Sequence, residues 1–170
     1  MKILFIQPPL EVNRKHKRIL PLGIGYLLAV IRKEFPEISL KFLDMESGNL
    51  TTDYAMNFIG EFAPEILMIS CWTPMADYAF EIMTAAKKKF GDKIIIISGG
   101  VHPTIFPAEC LEYADFVVKH EGELTITELL RFLSGCRDLN ANAILQSASD
   151  LLSVKGLAFK QNGRVIFSGD

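Results

Sequence analysis

The sequence predicts an α/β domain: a doubly wound, mostly parallel sheet with helices on both faces and a C-terminal β-hairpin extension. Three observations carry this. The runs "KILFI", "EILMIS", "KIIIIS" and "DFVV" are apolar at successive positions, as strands covered on both faces must be. Segments with apolar residues at helical spacing separate them, and such alternation implies right-handed crossovers and parallel pairing. Near the end, Asn162-Gly163 divides two alternating arms, offering the two positive-φ residues of a tight hairpin turn.

In chain order, "KILFIQPP" is a buried first strand stopped by Pro8-Pro9, followed by a basic loop containing Arg14-Lys15-His16-Lys17-Arg18. Leu22 to Phe35 is a helix whose two glycines fall early, where their helix penalty is least. Ile38 to Asp44 is a second strand, and "TTDYAMNFIGEFA" a helix capped by Thr51 or Thr52 and ending before Pro64. The strand "EILMISCW" leads to a helix from Ala76 to Phe90, whose lysine-rich end complements its dipole. After "KIIIIS", Pro107 opens a short helix, "DFVVKH" is a strand, and "GELTITELLRFLSG" is a helix closed by Gly135. The expected organisation is a ligand-binding α/β domain over 1–135, a linker or irregular segment over 136–153, and a hairpin over 154–170.

Composition narrows the function classes. Of 170 residues, 49% are hydrophobic and 22% charged, enough for one globular domain with a real core. A net charge of -2 gives no reason to expect nucleic acid as a partner. No apolar run approaches the roughly 20 residues of a membrane span. Met1-Lys2 runs directly into strand-like "ILFI" rather than a secretory leader. Cys71, Cys110 and Cys136 are scattered without a C-x-x-C, which argues against a zinc or disulfide framework and for a reducing, cytoplasmic setting.

Ligands of open doubly wound sheets bind at the carboxyl ends of the strands. The informative residues therefore follow each strand: Gln7-Pro8-Pro9, Asp44, Ser70 to Pro74, Ser98 to His102, and His120 to Glu123. Gly99 and Gly100 read either as a tight turn needing positive φ or, with Gly122 on the next loop, as clearance for a flat or bulky ligand. A bulky residue at Gly100 is expected to weaken ligand binding at the stability cost of a turn glycine, about 1 kcal/mol or somewhat more if φ is positive. His102 and His120 have no second ligand at metal spacing and read as hydrogen-bonding loop residues. Ser98 lacks a G-x-S-x-G elbow, and Glu121 and Glu123 are explained by a helix N-terminus. The dinucleotide and P-loop fingerprints are both missing.

An ordered set of motifs remains: "PP" after the first strand, "PLGIGYLLAV" from Pro21 to Val30, Asp44, "PEILMIS" from Pro64 to Ser70, Thr73-Pro74, "GGVHPT" from Gly99 to Thr104, "EGE" from Glu121 to Glu123, and "GLAFKQNGRVIFS". In this set the chain resembles, over nearly its whole length, the N-terminal cobalamin (vitamin B12)-binding domain of cobalamin-dependent radical S-adenosylmethionine enzymes. The resemblance implies a flavodoxin-like (Rossmann-like) fold with cobalamin against the carboxyl edge and its nucleotide tail threaded into the domain. It further implies cofactor-binding positions at Pro9, Ser70, Thr73, Ser98, Gly99, Gly100, His102 and Gly122, with no catalytic residue of this chain's own.

Two departures qualify what the resemblance implies. Cobalamin domains of the methionine synthase and mutase type carry D-x-H-x-x-G after the first strand. Here that place reads Gln7-Pro8-Pro9-Leu10-Glu11-Val12, so cobalamin is expected base-off with no protein histidine on cobalt; only His16, farther along, could approach. The C-x-x-x-C-x-x-C of the radical barrel is also absent. The [4Fe–4S] cluster and S-adenosylmethionine are therefore expected only in a missing C-terminal domain, the present chain being a truncated piece or a stand-alone module. The competing readings are a flavodoxin-like flavin- or nucleotide-binding module and a ligand-free protein-interaction domain.

Overall fold

The computed structural model describes residues 1–10, 21–136, 139–146 and 150–169. Five parallel strands form most of the sheet: β1 (Lys2–Gln7), β2 (Ser39–Asp44), β3 (Ile66–Ser70), β4 (Ile95–Gly99) and β5 (Phe116–Val118). The antiparallel hairpin β6 (Leu157–Gln161) and β7 (Arg164–Phe167) extends it beside β5, giving the order β2-β1-β3-β4-β5-β6-β7. The chain reverses direction across the sheet between β1 and β3, the switch point at which such folds open a crevice.

The isoleucine-rich strands divide their side chains by strict alternation. Ile3, Phe5, Ile66, Met68, Ile95, Ile97, Phe116 and Val118 face one layer, where α1 (Leu22–Glu34) and α7 (Gly122–Gly135) pack. Leu4, Ile6, Leu67, Ile69 and Ile96 face the other, against α3 (Thr52–Phe62) and α4 (Ala76–Phe90). Because both faces are covered, β3, β4 and β5 show no exposed side until their last residues. The segment after α7 also joins the core: α8 (Ala141–Gln146) buries Ala141 and Ile144, and a 3-10 turn over Asp150–Ser153 buries Leu151.

Local signals account for the element ends. Thr51 Oγ1 accepts from the Tyr54 amide at 3.3 Å, and α3 stops at Ala63, whose φ of 49° avoids the right-handed conformation that Pro64 disfavours. Lys87, Lys88 and Lys89 fill the last turn of α4. Pro107 is the first residue of α6 (Pro107–Cys110). Asn162 and Gly163 have φ of 51° and 74°, the pair of positive values that the turn between β6 and β7 requires. In contrast, α7 does not end on a left-handed glycine; Gly135 is its last helical residue and Cys136 is extended.

Two short helices lie where the sequence reads as loop. Asp44 caps α2 (Met45–Gly48), accepting from the Ser47 amide at 2.9 Å. The stretch "VHPTI" forms α5 (Val101–Ile105), begun by Gly100 and hidden from a periodicity search by its length and by Pro103. Among the described residues no helix is long and apolar enough to cross a membrane.

Candidate functional site

A cleft of about 410 Å³ opens at the carboxyl ends of β1, β3, β4 and β5, between the sheet and the diverging N-terminal turns of α1 and α7. Phe5, Met68, Ile97 and Val118 form its apolar floor. Gly23, Ile24 and Leu27 supply the α1 wall, and Gly122, Glu123 and Ile126 the α7 wall. Ser70, Trp72, Gly99, Gly100, Val101, Thr104, Ile105, His120 and Glu121 surround the mouth. A wider groove of about 890 Å³ lies at the opposite pole, against Met1, Glu37, Glu65 and Asp92. It is away from the carboxyl edge where this fold class binds ligands.

The register explains how the strand ends make the cleft. Ser70 pairs with Gly99 and Gly99 with Val118, so one row of the sheet ends in a hydroxyl, a missing side chain and a valine. Gly99 continues the cleft-facing series Ile95, Ile97. A Cβ there would lie 3.6 Å from the Val118 carbonyl oxygen, an ordinary contact, so space beyond the strand and not strain distinguishes this position. At Gly122 an added Cβ would meet Val118 Cγ1 at 3.3 Å and Leu27 Cδ2 at 3.5 Å, so this glycine lets α7 close against β5 and α1.

Gly100 answers to a different cause. The Cys71 amide donates to the Gly99 carbonyl at 2.8 Å, and the Cys71 carbonyl accepts from the His102 amide at 3.1 Å. Gly100 is pressed between these bonds with φ of 107°, and a Cβ would fall 2.9 Å from the Cys71 oxygen. The two glycines thus differ: the turn reading fits Gly100, which holds a positive φ, while Gly99 lines the cleft without backbone strain.

Of the expected site residues, the cleft brings together Ser70, Gly99, Gly100 and Gly122. Pro9, Thr73, Ser98 and His102 lie outside its lining. Pro9 is buried behind β1 and Thr73 is exposed in the loop after β3. Ser98 is fully buried on the opposite face of β4, next to the Cys110 thiol and without a well-formed hydrogen bond. His102 is buried between the rings of Phe80 and Phe106. By strand alternation Ser98 and Gly99 face opposite sides of the sheet, so Gly99 lines this cleft and Ser98 does not.

Thr104 is a polar cleft residue that the sequence reading did not name as a site candidate, though it ends the "GGVHPT" stretch. Its Oγ1 donates to the Gly100 carbonyl at 2.8 Å and accepts from the His120 amide at 2.9 Å. One hydroxyl thus ties the β4–α5 turn to the β5–α7 loop, where His120 holds φ of 57°. The mouth carries the exposed apolar side chains of Trp72, Val101 and Ile105, and Leu22, Tyr26 and Leu124 are exposed near the starts of α1 and α7.

Cys71 and Cys110 are buried behind this edge. Burial pushes the Cys71 thiol up to about 12, with Cys110 and Glu109 adding to it. Burial likewise pushes Cys110 up to about 12, aided by Glu109 and opposed by the polar hydroxyl of nearby Ser98. Folding therefore favours the protonated thiols, and that stability is present below the unfolded pKa of about 9 and is lost as pH rises towards 12. Urea unfolding at successive pH values should show stability falling in this window by up to about 1.4 kcal/mol per pH unit per thiol. The slope should be shallower in Cys71→Ala/Cys110→Ala, and an unchanged slope would show that other groups carry it.

A doubly wound domain with an apolar cleft under glycine-bearing strand ends is the architecture of a cofactor-binding module. The family model for the B12 binding domain matches residues 16–130, and the chain belongs to that family. It is 32% identical over 174 aligned residues to an uncharacterized methyltransferase, PH0819, of Pyrococcus horikoshii, covering 97% of this chain and 34% of that protein. The cobalamin-dependent S-adenosylmethionine radical enzyme OxsB, solved with aqua-cobalamin and S-adenosylmethionine bound, superposes with a TM-score of 0.79 at 22% identity, over 99% of this chain and 22% of that one. The radical S-adenosylmethionine methyltransferase TsrM from Kitasatospora setae gives 0.71 at 18% identity, over 99% and 30%. The chain thus spans about a third or less of each of these proteins.

Proposed function

We propose that this cobalamin-binding domain receives the nucleotide tail of cobalamin in the cleft between α1 and α7, with the corrin across the exposed apolar rim. The observation that carries the reading is Gly99: the cleft-facing row of β4 runs Ile95, Ile97 and then no side chain, where a bulky group could pass the strand end. Phe5, Met68 and Ile97 offer the apolar surface that a flat aromatic base buries. Ser70, at the mouth, supplies a hydroxyl that can orient it. Cobalamin, when bound, supplies a cobalt centre suited to methyl transfer or radical chemistry. The residues of this chain bind and shield it, while the [4Fe–4S] cluster and S-adenosylmethionine belong to a further domain of a longer radical enzyme. The length of the relatives and their printed activities support that assignment, and free cysteines suit a cytoplasmic setting.

A tail held down against Phe5 and Ile97 cannot also fold back to the metal, so the reading is base-off. The β1–α1 connection begins with Pro8 and Pro9, which offer no nitrogen ligand; His16 lies outside the described residues. Aquacobalamin mixed with the protein and freed of excess should co-elute with the corrinoid spectrum at one per chain. Electron paramagnetic resonance of the bound cobalt(II) form should lack the triplet splitting of a nitrogen ligand. A chain that retains flavin and no corrinoid would overturn the assignment. Triplets lost on His16→Ala would overturn only the absence of a histidine ligand.

A further inference from the structure

Behind the exposed mouth, one buried side chain joins two groups from different elements. His102 is 5% exposed. Its Nδ1 lies 3.3 Å from Thr73 Oγ1, and its Nε2 lies 3.3 Å from Glu109 Oε2. The second pair has the distance of an ion pair without the alignment of a hydrogen bond, so Nε2 is a buried nitrogen without a formed bond. The Glu109 carboxylate is half-exposed on the short helix α6 and can turn to meet it. Phe80 and Phe106 hold the ring at centroid distances of 5.8 and 5.1 Å. The His102 amide is bonded to Cys71, immediately before the Trp72-Thr73 loop.

We infer that Glu109, His102 and Thr73 form a hydrogen-bond relay that fixes Thr73 Oγ1 as an acceptor at the ligand edge, making His102 a positioning residue for a ligand that presents N–H groups there. The polarity follows from the donor inventory. A carboxylate only accepts, so the proton of a neutral imidazole facing it sits on Nε2. Nδ1 then carries a lone pair, and the single proton of the Thr73 hydroxyl is committed to it. What Thr73 has left to offer the solvent side is lone pairs. The corrin periphery and the tail linker carry amide N–H groups, which match an acceptor. This last step rests on the reading of the edge as the corrinoid site.

The relay is tested on the parent protein alone by ¹⁵N–¹H correlation of the histidine rings at about pH 8.5, above the ordinary imidazole range. His102 should show a bare Nδ1 and a protonated Nε2; a proton on Nδ1, alone or with Nε2, overturns the relay. Thr73 is exposed, so its variants are not expected to unfold the chain. Thr73→Val, isosteric but without the hydroxyl, should bind aquacobalamin about tenfold more weakly, while Thr73→Ser should stay within about twofold of the parent. Thr73→Val binding like the parent overturns the role assigned to the hydroxyl. A parent that binds no aquacobalamin overturns the cofactor reading and the ligand half of this inference, whereas the tautomer still decides the relay itself.

Discussion

Gly100→Leu should lower the unfolding free energy by about 3 kcal/mol, and the melting temperature by roughly 6–12 °C, before any question of ligand arises. A side chain at φ of 107° is strained in any surroundings, and here its Cβ would also strike the Cys71 carbonyl at 2.9 Å. Relief would require breaking the bonds that Cys71 makes with Gly99 and His102. The sequence led to a milder expectation, about 1 kcal/mol for a turn glycine or somewhat more at positive φ, with the main effect on binding; the close approach of Cys71 adds to it. Thermal unfolding of parent, Gly100→Ala and Gly100→Leu checks this, and melting within a degree of the parent would show that the turn can relax.

Gly99→Leu should do the reverse, leaving stability within about 1 kcal/mol of the parent while removing most cobalamin affinity, at least thirtyfold or about 2 kcal/mol. The backbone at Gly99 is not in the positive-φ region, and an added Cβ makes only ordinary contacts with Val118. The branches of leucine would extend over Ile97 into the cleft and occupy the volume assigned to the tail. Titration of aquacobalamin into parent and variant measures the difference. Equal affinity in a folded variant would place the tail elsewhere on the edge.

Most of the framework was legible because burial on both faces leaves an unmistakable composition. Four consecutive isoleucines can only be a strand when both layers above and below are apolar, and Ile94 to Ile97 are all buried. Capping and turn chemistry were equally direct at Thr51, Pro107 and Asn162-Gly163. The site was harder to read because strand alternation persists to the last residue. Ser98 and Gly99 are adjacent in sequence yet separated by the thickness of the sheet, so a motif that quotes both names two environments. His102 was obscured by α5, a helix too short to show a period, which turns its side chain behind the mouth. Thr104 was visible in the same motif, but its double hydrogen bond depends on a loop sixteen residues later, a proximity that only the fold creates.

The terminal hairpin sets a parity. β6 runs against β5 and β7 runs against β6, so two reversals restore the original heading and Phe167 points to the same pole as Val118 and Gly99. The Asn162–Gly163 bend, after a single reversal, sits at the far pole. A reporter spliced into that bend is therefore held a full strand length from the ligand edge, in an exposed tight turn of the sort that tolerates insertion. One fused beyond β7 would emerge at the pole where the cleft opens instead. The same short ribbon thus provides two attachment points at opposite poles of the sheet, one far from the strand ends that form the cleft and one beside them.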